Sequence, residues 1–169
     1  PPLVYQCGVR NYYADPSLLG SDRWAALIAA WNWQKKGCLV VDVGTAMTVD
    51  ALSDTGEFLG GIIVPGFKLM KESLTTNITT LQNQKGESCV FPNNTAKAIQ
   101  SGTVHALVGT VKRMSELFFS TLGHVPMCII SGGASQQLMS ELNMDATVVD
   151  NLVLEGLVLI AEENSETIE

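Results

Sequence analysis

Six residues, Cys38-Leu39-Val40-Val41-Asp42-Val43, form an apolar run closed by Gly37 on one side and Gly44 on the other. A run this short, bounded by glycine at both ends, is too brief for a helix and reads as a buried strand. The residues after it must supply its partners. Thr45 to Leu52 predicts a second strand and Phe58 to Val64 a third, joined by the turn Ser53-Asp54-Thr55-Gly56. Pro65-Gly66 breaks into a helix from Phe67 to Leu74, with a continuation toward Leu81, and the polar stretch Gln82 to Asn94 predicts a surface loop.

Downstream, Ile99, Val104, Leu107, Val111, Met114 and Phe118 recur at helical spacing and predict a long helix from Ala96 to Thr121. Met127 to Ile130 reads as a strand, Ala134 to Leu142 as a helix, Thr147 to Val149 as a strand and Leu152 to Asn164 as a last helix. The acidic tail after it is expected to fray. Upstream, residues 1–20 lack periodicity and read as irregular. Arg23 to Lys36 predicts a helix with Trp24, Leu27, Ile28 and Trp31 on one face and Gly37 as its stop. The order β-β-β-α-α-β-α-β-α from Cys38 onward defines an α/β unit with a mixed sheet and helices packed on it.

Composition narrows the function classes. The 169 residues are 46% hydrophobic and carry a formal net charge of -7. That apolar content excludes a disordered chain, and no window approaches the roughly 18 apolar residues of a membrane span. The acidic balance argues against a nucleic-acid partner, which needs a basic stripe to neutralise phosphates. Cys7, Cys38, Cys89 and Cys128 are scattered without metal-ligand spacing, which suits reduced thiols in a cytoplasmic protein.

Three constellations carry possible chemistry. Gly20-Ser21-Asp22-Arg23 stands at a helix start. Its commoner reading is a cap, with Ser21 or Asp22 accepting orphan N–H groups. The other is an anion site, Arg23 binding a substrate and Asp22 accepting a proton. Asp42-Val43-Gly44-Thr45 lies on a strand-turn-strand. Either Asp42 bonds to its own turn, or the turn approaches a ligand, with the Thr45 hydroxyl and nearby N–H groups holding phosphate. Ser131-Gly132-Gly133-Ala134 is either an ordinary strand-to-helix turn or a place where a phosphate meets the backbone. His105 and His124 have no acid or cysteine nearby in sequence, and read as structural or solvated.

The order of these pieces resembles the second half of the actin-like sugar kinase superfamily, with its ribonuclease H-like fold. The resemblance tightens with Tyr13 nine residues before Asp22, with Leu59-Gly60-Gly61-Ile62-Ile63-Val64-Pro65-Gly66, and with Thr95-Ala96-Lys97-Ala98-Ile99-Gln100-Ser101-Gly102. Together with Gly20-Ser21-Asp22-Arg23 and Asp42-Val43-Gly44-Thr45, the set is similar to type III pantothenate kinase, also called the Bvg accessory factor family.

That resemblance implies transfer of the ATP γ-phosphate to the primary hydroxyl of pantothenate, the first step of coenzyme A synthesis. It implies Asp22 as general base and Tyr13, Gly20, Ser21, Asp22, Arg23 and Thr95 as pantothenate-binding residues. Gly44, Thr45, Gly132 and Gly133 would bind ATP, and Asp42 the potassium or ammonium ion, alongside a magnesium ion with the nucleotide. A cytoplasmic homodimer is implied as well. The family's N-terminal D-x-G-N-T loop is not found, so residues 1–36 are expected to be a remnant of a first actin-like domain and residues 37–169 a second, inactive alone. The family's T-A-x-L pattern is replaced by Ile78-Thr79-Thr80-Leu81. Two alternatives stand beside this reading: a non-catalytic accessory or regulatory protein on the same fold, and another actin-like phosphotransferase.

Overall fold

The computed structural model describes residues 1–75 and 86–166. The continuation of a helix toward Leu81, the first part of the expected loop, the Ile78–Leu81 departure and the end of the acidic tail lie outside the described residues.

The three expected strands form as β3 (Cys38–Val43), β4 (Ala46–Leu52) and β5 (Glu57–Pro65) in an antiparallel meander. Strands β6 (Met127–Ser131) and β7 (Ala146–Val148) add parallel to β3 and to each other. The sheet is therefore mixed, as the β-β-β-α-α-β-α-β-α order requires.

Residues 1–20 differ from the irregular segment expected. Tyr5–Gln6 (β1) and Val9–Asn11 (β2) form a small hairpin whose second strand runs parallel to β5, completing the seven-strand order β1-β2-β5-β4-β3-β6-β7. These strands are too short to show periodicity, and tertiary pairing makes them. Their turn needs left-handed backbone at Cys7 and Gly8, with φ of 48° and 82°. Residues 1–36 thus share one sheet and one core with the residues after them.

The helices are α1 (Ser21–Gln34), α2 (Phe67–Thr75), α3 (Thr95–Leu122), α4 (Ser135–Glu141) and α5 (Leu152–Glu166). Strand alternation sorts them into two layers. Val40 points to a core made with Trp24, Leu27, Ile28 and Leu152 of α1 and α5. Leu39, Val41, Val43, Met47 and Val49 point to the opposite core with Val104, Leu107, Val111 and Phe118 of α3, Phe67 of α2 and Leu138 of α4. The apolar face read for α3 is this buried stripe.

One helix end departs from expectation. Helix α1 stops at Lys35, which takes the left-handed cap at φ 48° and donates its N–H to Trp31 O. Gly37 instead opens β3, its N–H bonded to Asp54 Oδ1 at 2.9 Å. Asp54 also meets His124 Nε2 at 2.8 Å, so His124 is structural, while His105 is exposed on α3. All four cysteines are free. Cys38 and Cys128 are fully buried, and burial pushes each thiol up to about 12, which makes both inert. Among the described residues no helix is long and apolar enough to cross a membrane.

Candidate active site

The polar residues converge where β3 and β6 end and α1 begins. Because side chains alternate along a strand, Asp42 shares the α1 face of the sheet with Val40, and the register places Thr48 opposite Asp42 and Asp50 opposite Val40. Ser131 pairs with Asp42 from the other side. A row of polar groups thus crosses the otherwise apolar floor under the N-terminus of α1. Ligands in open α/β sheets meet the protein beyond such carboxyl ends of parallel strands.

Helix α1 starts on Gly20, which makes no side-chain cap. Asp22, exposed at the second position, folds its Oδ1 back onto the Arg23 N–H at 2.9 Å. Asp22 therefore does part of a cap's work while its carboxylate stays accessible. The two readings of this residue are compatible in one geometry.

Arg23 is buried, 7% exposed, and turns inward. Its Nε and Nη2 donate to Asp50 Oδ2 and Oδ1 at 3.1 and 2.5 Å. Asp50 is itself 1% exposed. The guanidinium lies 5.9 Å from the Tyr13 ring and 5.8 Å from the Phe58 ring, and those rings stack at 6.2 Å. Asp50 was not among the residues singled out from sequence. A signal was present, since Asp50 is an acid at an inward position of an apolar strand, where burial demands a partner.

Charge couples the group. The Asp50 hydrogen bonds hold Arg23 above its ordinary range against the opposing effect of burial. Burial pushes the Asp50 carboxyl up, Arg23 opposes it, and the charges of Asp22 and Asp42 add to the rise. Asp42 is raised first by burial and then by Asp22, while the Val43 backbone N–H works the other way. The charge of Asp22 thus reaches both Asp42 and Asp50, and that of Asp42 reaches Asp50.

The glycine turn after β6 packs onto Asp42. Gly132 has φ 96°, and a Cβ there would lie 2.6 Å from Asp42 Oδ1 and from Val43 O. Gly133 is open, with nothing within 4 Å of a Cβ. Asp42, Ser131, Gly132 and Gly133 line a cleft of about 450 Å³ with Asp150 and Asn151 at the start of α5. The turn Gly44–Thr45 is exposed, the Gly44 N–H being used on Ala46 O at 2.9 Å.

The structure thus brings Tyr13, Gly20, Ser21, Asp22, Arg23 and Asp42 to one end of the sheet, with Gly132 and Gly133 in the adjoining cleft. It sets Thr95 apart: that residue is exposed at the first turn of α3, a helix packed on the other face.

The architecture is the actin-like fold, an α/β mixed sheet with helices, which sugar kinases share. A Campylobacter jejuni protein assigned to the Baf family of transcriptional activators superposes with a TM-score of 0.70 at 25% identity, over 95% of this chain and 71% of that one. Xylulose kinase from Rhodospirillum rubrum does so with a TM-score of 0.56 at 13% identity, over 86% of this chain and 42% of that one, a likeness of fold. Within that class the chain belongs to the type III pantothenate kinase family, whose sequence profile matches residues 3–117. It is 60% identical to the type III pantothenate kinase of Nitrosospira multiformis over 165 residues, 98% of this chain and 63% of that protein. It is 49% identical to that of Nitrosomonas eutropha, over 95% of this chain and 63% of that protein. The chain spans about 63% of the length of these curated relatives.

Proposed function

We propose that these residues serve ATP-dependent phosphorylation of the primary hydroxyl of pantothenate, giving 4'-phosphopantothenate for coenzyme A synthesis. The observation that carries the reading is an accessible carboxylate, Asp22, held by the Arg23 backbone N–H beside a guanidinium that is anchored on Asp50. Phosphoryl transfer asks mainly for positioning, charge neutralisation and a base beside the nucleophile. Asp22 takes the hydroxyl proton, and Arg23, Tyr13, Gly20 and Ser21 hold the substrate around it. The Thr45 hydroxyl and the Gly132–Gly133 turn face the nucleotide phosphates, with Gly44 leaving the first turn open. A second copy of the chain that carries its Thr95 to this site would complete the pantothenate contacts, which is the arrangement proposed for a cytoplasmic homodimer. In this reading residues 1–36 bring the substrate motif from the junction with a first actin-like half.

Asp42 suits a monovalent cation. Its carboxylate is half-buried, is raised by burial and by Asp22, and has no protein cation in an ion pair with it among the described residues. Potassium or ammonium bound there would neutralise charge beside the phosphates. No cluster of three or more acids, cysteines or histidines that could hold a metal occurs among the described residues. Magnesium, which binds through few carboxylates plus substrate phosphates, would arrive with the nucleotide.

The test is a coupled assay of the full-length protein with pantothenate and ATP, with and without potassium. Wild type is expected to consume ATP only when pantothenate is present. Asp22→Asn is expected to lose at least about a hundredfold in kcat, the usual scale of a lost general base, with an unchanged melting curve. Wild-type turnover by Asp22→Asn would exclude it as the base. A regulatory protein on this fold would show no pantothenate-dependent turnover at all, and the four retained residues Asp22, Arg23, Asp42 and Thr45 speak against that reading.

A further inference from the structure

Gly61 stands opposite Asp50 in the β4–β5 register. A Cβ at Gly61 would overlap Asp50 Oδ1 and lie 2.9 Å from its Cγ and 2.7 Å from Val49 O. The backbone does not explain this glycine, because Gly61 is outside the left-handed region. Its neighbour Gly60 is the reverse case, with φ 130° and nothing within 4 Å of a Cβ, beside the register shift at Ala51/Leu52. What excludes a side chain at Gly61 is the Asp50 carboxylate lying over it on its way to Arg23, together with the Val49 carbonyl.

We propose that Asp50 and Gly61 are positioning residues that aim Arg23, so that Arg23 meets the substrate as a fixed donor of hydrogen bonds. The inference rests on the pantothenate reading above and adds how the substrate's oxygens are recognised. Asp50 takes the Nε proton and one Nη2 proton, so the outer Nη1–Nη2 edge is what remains for the Tyr13 hydroxyl and an incoming carboxylate oxygen. Tyr13 and Phe58 hold the guanidinium plane from the sides. The physical need is clear from the neighbouring charges. The charges of two further acids, Asp22 and Asp42, reach Asp50, and an Arg23 released from Asp50 would be drawn toward them. Pairing with Asp22 would consume the carboxylate that has to accept the proton. Holding Arg23 on a dedicated buried acid keeps Asp22 free.

The test combines a direct view of Arg23 with a kinetic cycle in the full-length protein. Variants Gly61→Ala, Asp50→Ala and the double substitution are first checked by circular dichroism melting, and Asp50→Asn serves as the isosteric variant if Asp50→Ala fails to fold. Nitrogen-15 NMR follows the Arg23 Nε–H, assigned by its loss in Arg23→Lys. In wild type this proton is expected to exchange slowly with solvent, and in Gly61→Ala and Asp50→Asn rapidly. The KM for pantothenate is expected to rise roughly ten- to a hundredfold in each single variant, the scale of one charge-assisted hydrogen bond, with kcat within about threefold. Gly61→Ala is expected to raise KM less in the Asp50→Ala background than in wild type, because the carboxylate it displaces is gone and only the Val49 O contact at 2.7 Å remains. A protected Arg23 Nε–H in Gly61→Ala, or an equal KM penalty from Gly61→Ala in both backgrounds, overturns the proposal. Absence of pantothenate-dependent turnover in wild type instead removes the functional reading, while the Arg23 signal still decides the positioning.

Discussion

Gly132 and Asp42 are locked together: the glycine's α-carbon, at φ 96°, faces the carboxylate so closely that a Cβ would lie 2.6 Å from Oδ1. One glycine thereby sets both the turn after β6 and the position of the acid at the end of β3. Both requirements fall on Gly132, and neither falls on its neighbour.

Gly132→Ala is accordingly expected to cost about 1–3 kcal/mol, the scale of left-handed strain in a residue with a side chain, and to displace Asp42. Gly133→Ala, with open space around its Cβ, is expected to stay within about 0.5 kcal/mol of wild type. Urea denaturation of the two variants side by side checks the contrast. Equal effects would show that the turn tolerates either substitution and that Asp42 is not held by it.

Asp42→Asn separates stability from function. The folded protein raises the Asp42 carboxyl above its ordinary 3.8, mainly through burial, so the folded state binds the proton more tightly than the unfolded chain. Stability then falls as pH climbs from 3.8 through the raised value, and the penalty persists at neutral pH. Removing the charge is therefore expected to leave the protein as stable as wild type or more so at pH 7, with the difference closing below pH 3.8. The same variant is expected to lose stimulation by potassium. Melting temperatures across the acid range test the first half, and pantothenate-dependent turnover with and without potassium chloride tests the second. A neutral-pH loss of stability in Asp42→Asn would show that the Val43 N–H bond outweighs the cost of burying the charge.

Much of this was legible in the sequence because the strongest signals are local. The glycine-bounded run Cys38–Val43, the Ser53–Gly56 turn and the apolar stripe of α3 each fix an element without help from distant residues. The site glycines and Asp22, Arg23 and Asp42 were visible as motifs. Three features were not. Strands β1 and β2 span two and three residues and exist through pairing with β5. Asp50 needs its partner Arg23, 27 positions away, to be recognised as more than a misplaced acid. Lys35 as a left-handed cap displaced Gly37 because the glycine's N–H was required by Asp54, a contact between elements.

That contact belongs to a small cluster remote from the cleft. Asp54 accepts from His124 Nε2 and from the Gly37 N–H, and the His124 bond is the main cause that lowers its carboxyl below 3.8. A lowered carboxyl contributes stability that is present above 3.8 and is lost as pH falls through the folded value. Asp54→Asn is expected to be less stable than wild type at pH 5 to 7, with the gap closing in acid below 3.8. The pair is exposed, so the gap is expected to be small. A gap that widens in acid would contradict the assignment.

The packing of α1 on α5 gives the sharpest test of the core. A glycine inside a helix ordinarily costs about 1 kcal/mol relative to alanine, so Gly→Ala on a free helical surface should stabilise. At Gly156 the sign is expected to reverse. A Cβ there would overlap the Ala25 carbonyl oxygen and lie 2.9 Å from Ala25 Cα, both backbone atoms that cannot swing aside. Separating the two helices would open contacts around Leu27, Ile28 and Leu152 in the core they share. Overpacking of this kind costs about 1–3 kcal/mol and outweighs the propensity gain. Gly109 of α3 is the matched control, exposed and with nothing within 4 Å of a Cβ. Gly109→Ala is expected to raise the melting temperature and Gly156→Ala to lower it. Because α1 also carries Asp22 and Arg23 at its first turn, Gly156→Ala is further expected to raise the KM for pantothenate, and a stabilised Gly156→Ala would show that α1 and α5 do not pack backbone to backbone.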